Sequence, residues 1–147
     1  MRCPDAPFSH LQRLTDSVGL LQHADGVVPL HTDGYSVDGV ARGLLVVCRE
    51  PSLPQELVVL GRRYLYFLAQ AQSLGGEFRN HLGYDRQWQG RALTEDGWGC
   101  ALWALGTAAA RGPTSGIREE PCARFCRGAR VFSPSPHAVP NSTTAYV

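Results

Sequence analysis

The sequence predicts a mainly α fold built from stacked helical hairpins, and three observations carry the prediction. The first is a pattern that occurs twice. Asp38-Gly39-Val40-Ala41-Arg42-Gly43-Leu44-Leu45 has the same order of acid, glycine, small residues and leucine as Asp96-Gly97-Trp98-Gly99-Cys100-Ala101-Leu102-Trp103. Each copy opens an apolar run without proline. An acid in the first turn complements the positive end of a helix dipole, and small residues on the next turns let a neighbour approach closely. The second is the stripe between the copies. Leu57, Leu60, Tyr64, Phe67, Leu68, Ala71 and Leu74 recur at helical spacing, with Arg62, Arg63, Gln70 and Gln72 off the stripe. That helix is amphipathic and belongs on the outside. The third is the run from Asp96 to Ala110, apolar or small nearly all round, as suits a helix enclosed on several sides. Alternating enclosed and amphipathic helices is what a two-layer helical ring or solenoid needs.

The elements follow in order. Ser9-His10-Leu11-Gln12 matches a capping box, so a helix is expected over 9–18, with Leu11, Leu14 and Val18 inward and Gly19 ending it. Residues 20–34 read as loop with a short strand. Ser36 is a candidate cap for a helix over 36–50 that stops before Pro51. Ser52 with Gln55 offers a second capping box, Pro54 is tolerated in a first turn, and the helix over 53–74 ends at Gly75-Gly76. Residues 77–93 read as a long loop or short hairpin, and the last helix spans 96–110. The helices at 36–50 and 96–110 are expected side by side and parallel, with 53–74 antiparallel outside them. Gly112-Pro113 then breaks the pattern. Residues 1–111 are read as the helical domain and 112–147 as an irregular or disordered tail. Residues 131–147 hold no charged side chain and little to bury.

Composition excludes several classes. A chain of 147 residues suits one domain. A net charge of +1 gives no electrostatic case for nucleic acid or an anionic membrane. The 14 basic residues are all Arg, which fits either carboxylate or phosphate recognition or a coding bias. The aliphatic run Leu44 to Cys48 is too short to cross a bilayer, and no apolar segment follows Met1-Arg2-Cys3-Pro4-Asp5 as a signal peptide requires. A cytoplasmic location is expected, where the sequon Asn141-Ser142-Thr143 carries no meaning. The 5 cysteines are odd in number. Cys48 and Cys100 fall inside expected helices, where a thiol acts as a small apolar group. Cys122 and Cys126 are four apart, but only His137 is near in sequence, so no metal site is expected. His23 and His31 are loop histidines, and neither a Ser-His-Asp nor a Cys-His arrangement is legible. No phosphate-cradling glycine loop is present, and no cofactor is expected.

Ordered blocks of residues carry a resemblance. They are His10-Leu11-Gln12-Arg13-Leu14-Thr15-Asp16, Gly19-Leu20-Leu21-Gln22-His23-Ala24, Pro29, and Gly34-Tyr35-Ser36-Val37-Asp38. They continue with Phe78-Arg79-Asn80, Leu82-Gly83-Tyr84-Asp85-Arg86, Glu95-Asp96 and Ala101-Leu102-Trp103-Ala104-Leu105-Gly106. Together, over roughly residues 8–111, they resemble a bacterial carbohydrate-associated family of the six-hairpin glycosidase-like group. Its members often follow a glycosyltransferase domain and carry that label. The resemblance implies an incomplete (α/α) toroid of about two helical hairpins, matching an N-terminal piece of the ring. It also implies a cleft ringed by the N-termini of the inner helices.

On that face the resemblance puts Asp33, Asp38, Glu95 and Asp96. Glycoside hydrolysis commonly uses two carboxyl groups, and Asp38, Asp96 and Glu95 are the candidate catalytic residues. The same acids also serve simply as first-turn stabilisers of helices. Tyr35, Trp98, Tyr84 and Trp88 are candidate sugar-stacking rings, or ordinary packing aromatics. Asn80, Asp85 and Arg86, with Arg79, are candidates to bind hydroxyls or a phosphate, or to hold the hairpin together. Gly39 stands where the family has a second acid, and Trp98 and Cys100 stand where it has His and Arg. Those departures weaken charge-dependent chemistry, so no turnover is expected. The implied partners are a glycan, a glycosyltransferase domain and, through exposed inner-helix flanks at Leu44, Val47, Leu102 and Leu105, a second copy. The alternatives are a non-catalytic helical interaction module and a truncated remnant without activity of its own.

Overall fold

The computed structural model describes residues 8–132. The chain runs through α1 (Ser9–Arg13), β1 (Ala24–Asp25), β2 (Val28–Pro29), β3 (Tyr35–Ser36), α2 (Val37–Arg49) and α3 (Gln55–Ala71). It continues through β4 (His81–Leu82), β5 (Trp88–Gln89), α4 (Asp96–Arg111) and α5 (Ser115–Ala129). The fold is mainly α. Strands β1 and β2 form one antiparallel pair, and β3, β4 and β5 form a small antiparallel sheet in that order.

Helix α2 begins as its sequence dictates. The Ser36 hydroxyl accepts from the Gly39 amide at 3.1 Å, and the Asn80 carbonyl accepts from the Val37 amide at 3.0 Å, so two orphan donors of the first turn are satisfied. Its N-terminus lies beside that of α4, where Gly97 faces Asn80 and Val37. Further along, the Arg49 guanidinium sits 5.2 Å from the Trp103 ring. The two helices therefore run in the same direction, as the repeated pattern predicts. Helix α3 returns antiparallel across α2. A Cβ at Gly43 would meet the Tyr64 ring at 2.9 Å, and one at Gly61 would meet Val47 at 2.9 Å. The crossing is this close because both positions lack a side chain.

One core spans the molecule. Val40, Leu44 and Val47 of α2, Leu57, Tyr64 and Leu68 of α3, and Ala101, Ala104 and Leu105 of α4 are almost wholly buried. Each fully buried Val or Leu contributes about 1.5–3 kcal/mol of transfer free energy. Leu44, Val47, Leu102 and Leu105 are thus core residues and not exposed flanks. Helices α2 and α4 cover each other while α3 and α5 close the outer side. The apolar exposure on the inner pair falls instead on Val46 and Trp103, at 44% and 53%.

Three boundaries differ from the sequence reading. Helix α1 stops at Arg13 instead of running to 18. Thr15 donates its hydroxyl to the Leu11 carbonyl at 2.7 Å, shares a 2.6 Å bond with the Tyr64 hydroxyl and bridges to Leu20. Asp16 then accepts from the amides of Val18 and Gly19, a local turn that competes with helix. No side-chain cap forms at Phe8 or at Pro54, so neither expected capping box is made. Helix α3 ends at Ala71 because Gln72 is extended and bridges to Phe78.

The largest correction lies after Arg111, where the sequence reading placed an irregular tail. Gly112-Pro113 does end α4, but only for a turn. The Thr114 hydroxyl accepts from the Ile117 amide at 3.3 Å and starts α5, which continues through Pro121. Phe125 packs on Gly106 and Ile117 on Gly112, so α5 folds back along α4. The Gln72 side chain donates to the Arg124 carbonyl at 2.9 Å and ties α5 to α3. The architecture is two antiparallel hairpins, α2–α3 and α4–α5, laid side by side. Residues 133–147, the rest of the expected tail, lie outside the described residues.

Candidate functional site

The residues expected around one sugar site separate into two groups, and no hydrogen bond or ion pair joins them among the described residues. The first group gathers where α2 and α4 begin. Asp38 pairs with Arg42 one turn on, at 3.1 Å. Glu95, the residue before α4, accepts from the Asn80 side chain at 3.1 Å. Asn80 thus holds both helix starts, through its carbonyl on α2 and its amide on α4. Asp96 is exposed in the first turn of α4, where an acid suits the dipole. The Trp98 ring packs on Phe132, 5.0 Å between centroids, and its indole nitrogen is buried without a partner. Cys100 stands beside Asp38 and Arg42. Burial, then a hydrogen bond to Asp38 and the Asp38 charge, push its thiol above the ordinary range, with Arg42 opposing. Cys48 is buried inside α2, and burial alone raises its thiol to about 11. Asp38, Glu95 and Asp96 therefore share one end of the fold, as the repeat predicts.

The second group belongs to the β4–β5 hairpin and the loop after α1. Tyr35 starts β3, opposite Leu82 of β4, and its ring is fully buried. Its hydroxyl donates to Asp16 at 2.5 Å and accepts from the Arg86 guanidinium at 2.5 Å. Burial, then the bond to Asp16, push the Tyr35 hydroxyl up to about 12. Burial also acts to raise Asp16, but the bonds from Tyr35, Val18 and Gly19 and the nearby Arg86 charge outweigh it and hold the carboxyl below its ordinary value. Tyr84 stacks on Tyr35 and meets His31 edge-on. Arg86 lies against both tyrosine rings, at 5.4 and 5.1 Å. Asp85 accepts from the Gln87 amide at 3.0 Å and shapes the turn. Arg86 ends that turn at φ 69°, a left-handed conformation that costs a non-glycine residue about 1–3 kcal/mol.

Beside this second group opens a cavity of about 230 Å³. The turn after α1 supplies Ser17 and Val18, α3 supplies Tyr66, Phe67 and Gln70, and the hairpin supplies Leu82, Arg86 and Trp88. Tyr66 stands at its rim, 67% exposed. Of the expected site residues Arg86 and Trp88 reach the cavity. Ser17, Tyr66 and Gln70 as cavity residues escaped the sequence reading. Tyr66 and Gln70 carry a local signal, since both fall off the apolar stripe of α3 yet lie one turn apart on one face. Ser17 carries none, because only the tertiary fold brings the turn after α1 onto α3.

Asp33, expected on the helix-start face, instead pairs with His23 at 2.9 Å on the surface. Among the described residues, no cluster of three or more His, Cys, Asp or Glu has metal-binding placement. No described helix is long and apolar enough to cross a membrane. Comparisons with protein-family models, with curated proteins and with solved structures find no match for this chain.

Proposed function

We propose that this chain is a glycan-holding helical module, a two-hairpin piece of an (α/α) toroid from a carbohydrate-active, glycosyltransferase-associated protein, and that it binds sugar without turning it over. The single observation that carries the reading is the cavity between α3 and the β4–β5 hairpin. It joins aromatic side chains, which meet the C–H face of a sugar ring, to the hydrogen-bonding side chains of Ser17, Gln70 and Arg86. The parallel pairing of α2 and α4 supports the toroid part of the reading, since each inner helix carries its own outer helix. The exposed strip at Val46 and Trp103 is the surface we assign to the neighbouring glycosyltransferase domain or a further copy.

The helix starts speak against turnover. Asp38 is engaged by Arg42 and Glu95 by Asn80, so two of the three candidate catalytic acids already have structural partners. The second reading, glycoside hydrolysis through Asp38 with Glu95 or Asp96, draws on their shared placement and needs a paired acid and base. A glycan array with a glycosidase panel on the wild-type chain separates the two. Binding without hydrolysis is the expected result. Hydrolysis that disappears in Asp38→Asn and Asp96→Asn would favour the enzyme, and silence in both assays would leave a remnant.

A further inference from the structure

We propose that the cavity takes a ligand ring bearing a carboxylate, and, resting on the glycan reading above, that this ligand is a terminal acidic sugar of the hexuronate class. Arg86 is the charged residue among the cavity's lining side chains, and it faces no acid there. Its guanidinium makes one hydrogen bond among the described residues, to the Tyr35 hydroxyl, and stands 3.9 Å from Asp16 in a looser ion pair. The Asp16 carboxylate is already occupied by the Tyr35 hydroxyl and the amides of Val18 and Gly19. Most of the Arg86 donors are therefore left for a ligand, and a guanidinium fork matches a carboxylate with two parallel hydrogen bonds.

The fork is also held in place before any ligand arrives. Tyr35 and Tyr84 lie against it at 5.4 and 5.1 Å, and the turn carries it at φ 69°, where glycine is the ordinary choice. A volume of about 230 Å³ falls below the roughly 300–1,000 Å³ of sites for larger ligands. One ring fits that space, with Tyr66 at the rim available for stacking on the next.

The test titrates the full chain with glucuronate, its methyl ester and glucose, followed by amide chemical shifts. Glucuronate should bind about tenfold or more tightly than either neutral sugar, the scale of one charge-assisted pair. Arg86→Met should reduce glucuronate to the level of glucose, and Arg86→Lys should restore part of the preference. Tyr66→Ala should weaken all three ligands while keeping the preference for the acid. Should Arg86→Met fail to fold, the wild-type preference for free acid over ester decides the matter alone. Equal binding of acid, ester and glucose would overturn the carboxylate assignment and leave the glycan reading standing. Binding of none of the three would overturn the hexuronate assignment, and silence on the glycan array as well would overturn the glycan reading with it.

Discussion

The two polar regions of this molecule differ in what their charges do. At the starts of α2 and α4, Asp38, Glu95 and Asp96 sit on the surface, and their partners are local or adjacent: Arg42 one turn on, Asn80 across the gap. At the β4–β5 hairpin, Asp16, Tyr35 and Arg86 come from three distant stretches and close on a buried ring. The first region stabilises helix ends. The second fixes a guanidinium at the wall of a cavity. Acids near helix starts mark where a dipole is complemented, whereas a site needs a concavity, and that requires elements to meet.

The contrast predicts an ordered series of losses, read by urea unfolding. Tyr35→Ala should be the largest. It empties the buried centre of the hairpin network and should cost about 3–5 kcal/mol. A loss under 1 kcal/mol would mean that the ring is not the centre of that region. Asp16→Asn should cost about 1–3 kcal/mol, since it removes a charged acceptor of several hydrogen bonds. It should also change the acid limb. The Asp16 carboxyl is held below its unfolded value of 3.8, so its stabilisation is complete above that pH and is lost as pH falls through the lower folded value. The variant should unfold in acid with a shallower pH dependence than wild type; identical acid limbs would contradict the assignment.

Smaller effects belong to the helix starts. Asn80→Ala removes the side-chain link to Glu95 but keeps the carbonyl that caps α2, so about 0.5–1.5 kcal/mol is expected. Asp38→Asn removes an exposed i,i+4 ion pair and should cost about 0.3–0.5 kcal/mol, less at high salt. If Asp38→Asn proved more damaging than Asp16→Asn, the ranking of the two regions would be reversed.

Much of the helical frame was legible before the structure, and the reasons are local. Helix α2 has a serine cap and a following proline, and α4 opens and closes within a residue of its expected ends. The parallel placement of the two followed from the repeated acid, glycine and small residues. Helix α5 was hidden because few of its residues are apolar and Pro121 is a residue that ordinarily ends a helix. Its buried residues are Ile117, Pro121 and Gly128, so its stability comes from packing on α4 and α3, which no local pattern records. The end of α1 was misread because Thr15 bonds to Tyr64 across the fold. The candidate site fared similarly. Arg86 was legible as a candidate to bind hydroxyls or a phosphate, but its meeting with Asp16 and Tyr35 depends on the long-range pairing of β3 with β4.

Amide chemical-shift mapping of the wild-type chain with a glycan taken from the array is the most direct measurement of where this protein binds. Perturbations should cluster at Ser17, Val18, Gln70, Leu82, Arg86 and Trp88, around the cavity. Perturbations centred on Asp38, Glu95, Asp96 and Gly97, with the hairpin silent, would contradict the cavity assignment and return the site to the helix starts.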